Sequence, residues 1–232
     1  LGLFVSVTGV SGSGKSTLLN AVAGSFITDT GRIHLAGHDI TRWPEHKRAS
    51  LIGRVFQNPF MGTAPDMSIE ENLALAARRG LPRGLGWALP RTLRSELRDR
   101  ISDLQMGLEN RLDNAIGSLS GGQRQALTLL MASWLKPDLL LLDEHTAALD
   151  PKSADKVIQL TQEIVERDKL TTLIVTHSMT QAVNLGDRIL MMHKGRLLHD
   201  IAGSERQRIT AGDLLERFEE AGRREVDSEA ND

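Results

Sequence analysis

The residues Gly9-Val10-Ser11-Gly12-Ser13-Gly14-Lys15-Ser16-Thr17 follow the spacing G-x-x-x-x-G-K-[ST], that of a loop built to hold phosphate. Glycines without Cβ atoms let such a loop curl and aim successive N–H groups inward. The helix that follows adds roughly half a positive charge at its N-terminus. In this pattern Lys15 reaches the β- and γ-phosphates of a nucleotide and Ser16 is a ligand for Mg²⁺. The competing reading is a Gly/Ser-rich turn that happens to precede a lysine.

Four further groups could work with that loop. Leu139–Leu142 is an apolar run ending in the paired carboxylates Asp143 and Glu144. An Asp at such a strand end can hold Mg²⁺, and the adjacent Glu can act as a base toward an attacking water. His177, at the exit of another apolar run, can hydrogen-bond a γ-phosphate. Gln57 carries a donor and an acceptor that can touch both metal and water. Ser120-Gly121-Gly122-Gln123 is a second glycine-rich helix start and hence a second anion site. Each has a plainer alternative. The Asp-Glu pair could cap a helix, His177 could be structural, and Ser120 with Gln123 could be only a capping box.

Elements that would position these groups are readable. Leu3–Val7 reads as a strand leading into the phosphate loop, and Thr17–Ala23 as the helix leading out, stopped at Gly24. Arg32–Leu35 and Leu51–Phe56 read as strands, the second delivering Gln57. Ser68–Arg79 is a helix with a Ser68/Glu71 capping box. Arg91–Met106 is an amphipathic helix with the stripe Leu93, Leu97, Ile101 and Leu104, and Gly80–Pro90 between them is a loop. A helix from Ser120 to about Leu135 precedes the buried strand Asp138–Asp143. Asp150-Pro151 reads as an N-cap with proline at the first helical position. Thr171–Thr176 is a further strand, and Arg188–His193 with Arg196–Ile201 form a hairpin around Lys194-Gly195. A last helix, Thr210–Ala221, precedes a polar, acidic tail, with 222–232 expected to be disordered. Alternating strands and helices predict an α/β fold with a parallel core sheet and a small antiparallel β part, and the glycine-lysine loop at its start resembles that of a P-loop NTPase. A helical subdomain at about 60–135, where no strand is evident, is inserted into this fold.

Composition narrows the function classes. A net charge of −2 offers no basic face for nucleic acid. Without cysteine there is neither a disulfide nor a Cys-based zinc site. No apolar run approaches the ~18 residues that cross a membrane.

With these motifs in this order, the chain resembles an ABC-type ATPase, the nucleotide-binding subunit of a membrane transporter, from Leu3 to about Ala221. The run Leu119–Gln123 is the most specific part of the likeness. By that resemblance Gly9–Thr17 is the Walker A loop, Gln57 the Q-loop glutamine and Leu139–Asp143 Walker B. Glu144 resembles the catalytic base, His177 the switch histidine and Ala147–Asp150 the D-loop, with Asp150 facing nucleotide. The resemblance implies ATP and Mg²⁺ as cofactors, and a head-to-tail homodimer in which Ser120–Gln123 of one copy closes over ATP on the other. It also implies a transmembrane permease partner received near 58–70, a solute-binding protein, no nucleic acid, and a cytoplasmic location peripheral on the membrane's inner face. The run Asp143–Pro151 is similar to an importer subgroup, with an organic solute such as an amino acid as the expected cargo. The alternatives are a soluble ABC-type ATPase of translation or DNA repair, and an inactive regulatory module. Two departures stand out. His145 occupies a position that is commonly proline, read as a tolerated variant at a turn. The aromatic that stacks on adenine in the family would precede Leu1, and the chain has no tyrosine. From this start, almost directly on a strand, a missing natural N-terminal piece is expected.

Overall fold

The computed structural model describes residues 2–80 and 91–229. The elements in chain order are β1 (Phe4–Thr8), α1 (Lys15–Ala23), β2 (His34–Leu35), β3 (His38–Asp39), α2 (Glu45–Arg48) and β4 (Ile52–Val55). Then come α3 (Ile69–Ala77), α4 (Arg91–Ser102), α5 (Gly121–Ser133), β5 (Leu139–Asp143) and α6 (Pro151–Asp168). They are followed by β6 (Thr172–Val175), α7 (Met179–Leu185), β7 (Arg188–His193), β8 (Arg196–Ile201), α8 (Gly203–Arg206) and α9 (Ala211–Glu229).

Six strands form one sheet in the order β4-β5-β6-β1-β7-β8. All neighbours are parallel except β8, which runs antiparallel to β7 at the edge. β5 lies between two parallel neighbours, which is why it can be almost pure leucine: both of its faces are covered. Its side chains alternate accordingly. Leu141 joins Val7, Val175, Leu19 and Ile52 under α1, whereas Leu140 and Leu142 join Ile174, Leu127 and Leu160 under α5 and α6. A third cluster, Ile189, Met191, Ile201, Leu214 and Phe218, fastens α9 to the β7–β8 hairpin.

Local signals placed most elements. Ser68 and Glu71 form the expected capping box on α3, and Asp150 caps α6 with Pro151 in its first turn. Leu97, Ile101 and Leu104 are buried, with Leu93 packed against the same core. Between β4 and β5 no strand occurs among the described residues, only helices, a 3₁₀ turn and an isolated bridge, Ser68 to Ala115.

Several boundaries differ. The strand expected over Arg32–Leu35 is only His34–Leu35, because the chain reverses through Ala36 and Gly37 with positive φ and pairs with His38–Asp39. α1 begins at Lys15, two residues before the expected start, because Gly14 at φ 96° already serves as its N-cap. α4 stops at Ser102, short of Met106, and Gln105 is left-handed at φ 52°. α9 continues past Ala221 to Glu229, where a disordered tail was expected; residues 230–232 lie outside the described residues, as does the expected loop beyond Gly80. The short helices α2, α7 and α8 were not anticipated, being too brief to express a helical period.

One buried cation closes α1. Arg48 is fully buried, and its Nη1 donates to the carbonyls of Ala21 and Val22 at 2.7 and 2.8 Å, in the last turn of that helix. Its Nε donates to Trp43 O at 2.9 Å and its Nη2 to Thr41 O at 3.0 Å. The guanidinium thus satisfies helix-end carbonyls that have no partner within the helix. Gly24 is required beside it: a Cβ there would lie 2.8 Å from Arg48 Nε. Replacing Arg48 with Leu should leave several buried carbonyls without donors and cost about 3 kcal/mol or more. The check is urea unfolding: the midpoint should drop with an unchanged slope.

Candidate nucleotide site

The phosphate loop stands at the end of β1 and is folded on itself. Ser13 N donates to Val10 O at 3.1 Å. Lys15 Nζ donates to Gly9 O and Val10 O at 2.9 Å each, and to Ser13 Oγ at 3.4 Å. The ammonium therefore spans the loop that it would serve. Burial lowers the Lys15 pKa, against the smaller upward pull of Glu144 and Asp143. Ser16 and Thr17 are exposed at the first turn of α1.

The β7–β8 hairpin supports this loop, a contact that the sequence did not suggest. Lys194 and Gly195 both have positive φ, 44° and 77°, as a two-residue hairpin turn requires. Gly195 N donates to Ser13 O at 3.0 Å. A Cβ on Gly9 would lie 2.3 Å from Met192 O, and one on Gly14 3.2 Å from Gly195 Cα. Beyond Gly12, Gly14 and Thr17 an open cleft of about 870 Å³ extends to Phe26–Thr30 and the hairpin turn.

Gln57, Asp143, Glu144 and His177 lie together beside the loop. Glu144 Oε2 lies 3.3 Å from His177 Nδ1 and 3.4 Å from Gln57 Nε2. Glu144 itself is left-handed at φ 42°, uncommon for a residue with a Cβ. Two hydrogen bonds hold it there: its N–H donates to Val175 O at 3.0 Å, and its carbonyl accepts from Ala147 N at 2.9 Å. Asp143 is largely buried, and desolvation raises its pKa, opposed most strongly by Arg54. Arg54 Nη2 lies 3.8 Å from Asp143 Oδ2, a partner that sequence reasoning missed. The donors at hand, a serine hydroxyl, an aspartate and a glutamine amide, are all hard oxygens and suit Mg²⁺. Among the described residues no cluster of three or more acidic or histidine side chains forms a metal cage.

The second glycine-rich start is set apart from the first. Ser120 Oγ accepts from Gln123 N, and Gln123 Oε1 accepts from Ser120 N, both at 3.3 Å, completing a capping box on α5. A Cβ on Gly122 would lie 2.8 Å from Ser153 Oγ, so α5 and α6 meet here. Asp150 Oδ1 accepts from Ser153 N at 3.0 Å, and hydrogen bonds from the Ser153 side chain and then its backbone lower the Asp150 pKa. Among the described residues no hydrogen bond links Ser120–Gln123 to Gly9–Thr17.

His145 is buried behind the carboxylates. Thr161 Oγ1 donates its single proton to Val157 O at 2.8 Å. His145 Nε2 lies 2.9 Å from Thr161 Oγ1, within hydrogen-bond distance. Burial lowers the His145 pKa to about 4.

Comparisons with known proteins show what the chain is similar to. A family model described as "ABC transporter" matches residues 2–147. The chain is 44% identical over 220 residues to the "Tyrosine transport ATP-binding protein" of Clostridioides difficile (strain R20291), covering 95% of this chain and 87% of that protein. It is 34% identical over 201 residues to the "Sulfate/thiosulfate import ATP-binding protein CysA" of Mycobacterium bovis, covering 84% of this chain. It spans only about half of that relative, 52% of its length. Among solved structures, the ADP conformation of the ATP-binding cassette MJ1267 is similar with a TM-score of 0.74 at 25% identity, over 93% of this chain and 87% of that one. The dimeric post-hydrolysis cassette MJ0796, bound to ADP and Pi, has a TM-score of 0.72 at 27% identity, over 86% of this chain and 85% of that one.

The lowered pKa of His145 predicts a pH dependence of stability. Unfolded, this imidazole takes up a proton near pH 6.5; folded, only near pH 4. Between those values the unfolded chain binds more protons, so stability falls as pH falls through that window. The full effect is about 3 kcal/mol. Unfolding midpoints measured from pH 7 to pH 4 should decline more steeply for the wild type than for His145→Gln.

Proposed function

Because the chain belongs to the ABC transporter family, as an ATP-binding subunit whose hydrolysis of ATP powers transport, we propose the following roles for the residues of its site. Gly9–Thr17 cradles the phosphates through backbone N–H groups. On ATP binding Lys15 exchanges its bonds to Gly9 and Val10 for the β- and γ-phosphates. Glu144 is the base that takes a proton from the attacking water. Its left-handed backbone and its contacts with Gln57 and His177 hold the carboxylate where a water near the γ-phosphate would lie. His177 donates to the γ-phosphate, and Gln57 orients the water. Ser16, Asp143 and Gln57 would hold Mg²⁺, which when bound neutralises charge on the phosphates. The observation that carries this reading is the convergence of Gln57 and His177 on one Glu144 oxygen beside the phosphate loop.

Ser120–Gln123 completes the site of a second copy. Its helix start is a ready anion site with no phosphate loop of its own chain bonded to it. A head-to-tail pair would bring it to the partner's γ-phosphate, with Asp150 at the seam. The dimeric MJ0796 cassette supports such a pairing.

A permease partner docks near Phe60, Met61 and Leu75. These side chains are exposed beside a groove of about 290 Å³ lined by Gly62, Asn72, Ala76 and Met131. Among the described residues no helix is long and apolar enough to cross a membrane. Import of an amino acid, delivered by a solute-binding protein, is the cargo reading, supported by the relative named for tyrosine transport. The working place is then the cytoplasmic face of the membrane.

Two measurements test these roles. Glu144→Gln should cut ATP turnover by ~10²–10⁴ while ATP binding survives, because Gln keeps the shape. A variant within a few-fold of wild type would remove Glu144 from the base role. In the Glu144→Gln background Mg-ATP should drive dimerisation, read by light scattering. Adding Ser120→Arg should abolish that dimer yet leave one ATP bound per monomer.

A further inference from the structure

Arg54 is an unusual neighbour for a metal carboxylate. It sits on β4, and its side chain is mostly buried. Its Nη2 donates to Asn20 Oδ1 on α1 at 2.6 Å and its Nη1 to Ser25 Oγ, just past that helix, at 3.2 Å. The guanidinium also lies 4.6 Å from the centre of the Phe56 ring. Among the described residues its buried Nε has no hydrogen-bond partner. Held from three sides on a strand, this cation stays near Asp143 and is not a long arm free to swing away. Of the charges acting on Asp143, Arg54 is the strongest attraction, ahead of Lys15.

Charge accounting gives this a consequence. Asp143 and Glu144 carry two negative charges, and Lys15 and Arg54 two positive ones, so the half-buried quartet is already neutral. A bare divalent cation entering there would shed water and face two fixed cations, with no net negative charge to receive it. A triphosphate brings more negative charge than its metal brings positive, so the metal–nucleotide complex enters a loop of N–H donors with net attraction.

We propose that Arg54 guards the Asp143–Glu144 pair against free divalent cations, so that the metal binds only together with nucleotide. This rests on the reading of Asp143 as the metal's carboxylate. The benefit is chemical: a subunit that held Mg²⁺ first would have its carboxylates satisfied before substrate arrived.

Mn²⁺ serves as the probe, with the free ion followed by its electron paramagnetic resonance signal on the full chain. Without nucleotide, the wild type and Arg54→Lys should leave the signal nearly undiminished. Arg54→Met should take up Mn²⁺ at least about tenfold more tightly, as expected when one nearby charge is removed from a poorly solvated site. Adding Asp143→Asn should abolish that uptake. Arg54→Gln, which keeps an amide donor for Asn20, carries the test if Arg54→Met does not fold. Equal Mn²⁺ uptake by the wild type and the uncharged variants overturns the guarding role. Metal-dependent binding of ADP to Asp143→Asn separates the two readings. If Asp143→Asn weakens it, Asp143 remains the metal's carboxylate and only Arg54 is misassigned. If it is unchanged, the assignment of Asp143 falls, and the proposal with it.

Discussion

Val55 stands opposite Leu142, Asp143 opposite Val175, and Val7 also opposite Val175. This register of parallel strands decides where the chemistry can be. Parallel pairing makes β1, β4, β5 and β6 end on the same side of the sheet, within a residue or two of one another. The phosphate loop, Gln57, Asp143 with Glu144, and His177 are what each strand delivers at that edge. Open parallel sheets bind ligands beyond the carboxyl ends of their strands for this reason. A slip of one residue in β5 would turn Leu141 toward α5 and carry both carboxylates away from the loop.

Much of this was legible because the signals were local. A capping box, a proline after an N-cap and a glycine-lysine run each work within a few residues. The structure keeps the local features of Ser68–Glu71, Ser120–Gln123 and Asp150–Pro151 as the sequence implied. What stayed hidden was set by distance along the chain. Arg54 and Asp143 become neighbours only because β4 pairs with β5, and nothing in either segment names the other. The hairpin at Lys194-Gly195 was readable as a hairpin, but not as a support for Ser13. Nothing in the segment around Arg48 announces the four carbonyls that close around it. Glu144's left-handed backbone is likewise invisible in the letters Asp-Glu-His, since Val175 imposes it.

The two glycine-rich helix starts show how one physical device serves different ends. At α1 the N-terminal turn is free, with Ser16 and Thr17 exposed, while the other end is locked by Arg48. At α5 the N-terminal turn is satisfied by its own Ser120 and Gln123. The first is prepared to receive charge from outside. The second is stable alone, and its remaining capacity for an anion lies in the backbone N–H groups of Gly121 and Gly122. That division suits the proposed head-to-tail pair, in which each copy would fold alone before meeting the other.

The bond from Gly195 to Ser13 extends the site's influence into β7 and β8. The hairpin turn touches the loop's backbone, and Ile189, Met191 and Ile201 of the same hairpin belong to the cluster that carries α9. The loop's shape is therefore a shared property of the first residues of the chain and of a segment some 180 positions later. In a genetic screen for nucleotide binding, lesions at Gly195 or Met192 would fall into one phenotypic class with lesions in the loop. A map of such alleles on the primary sequence would look like two unrelated loci, although they report a single object.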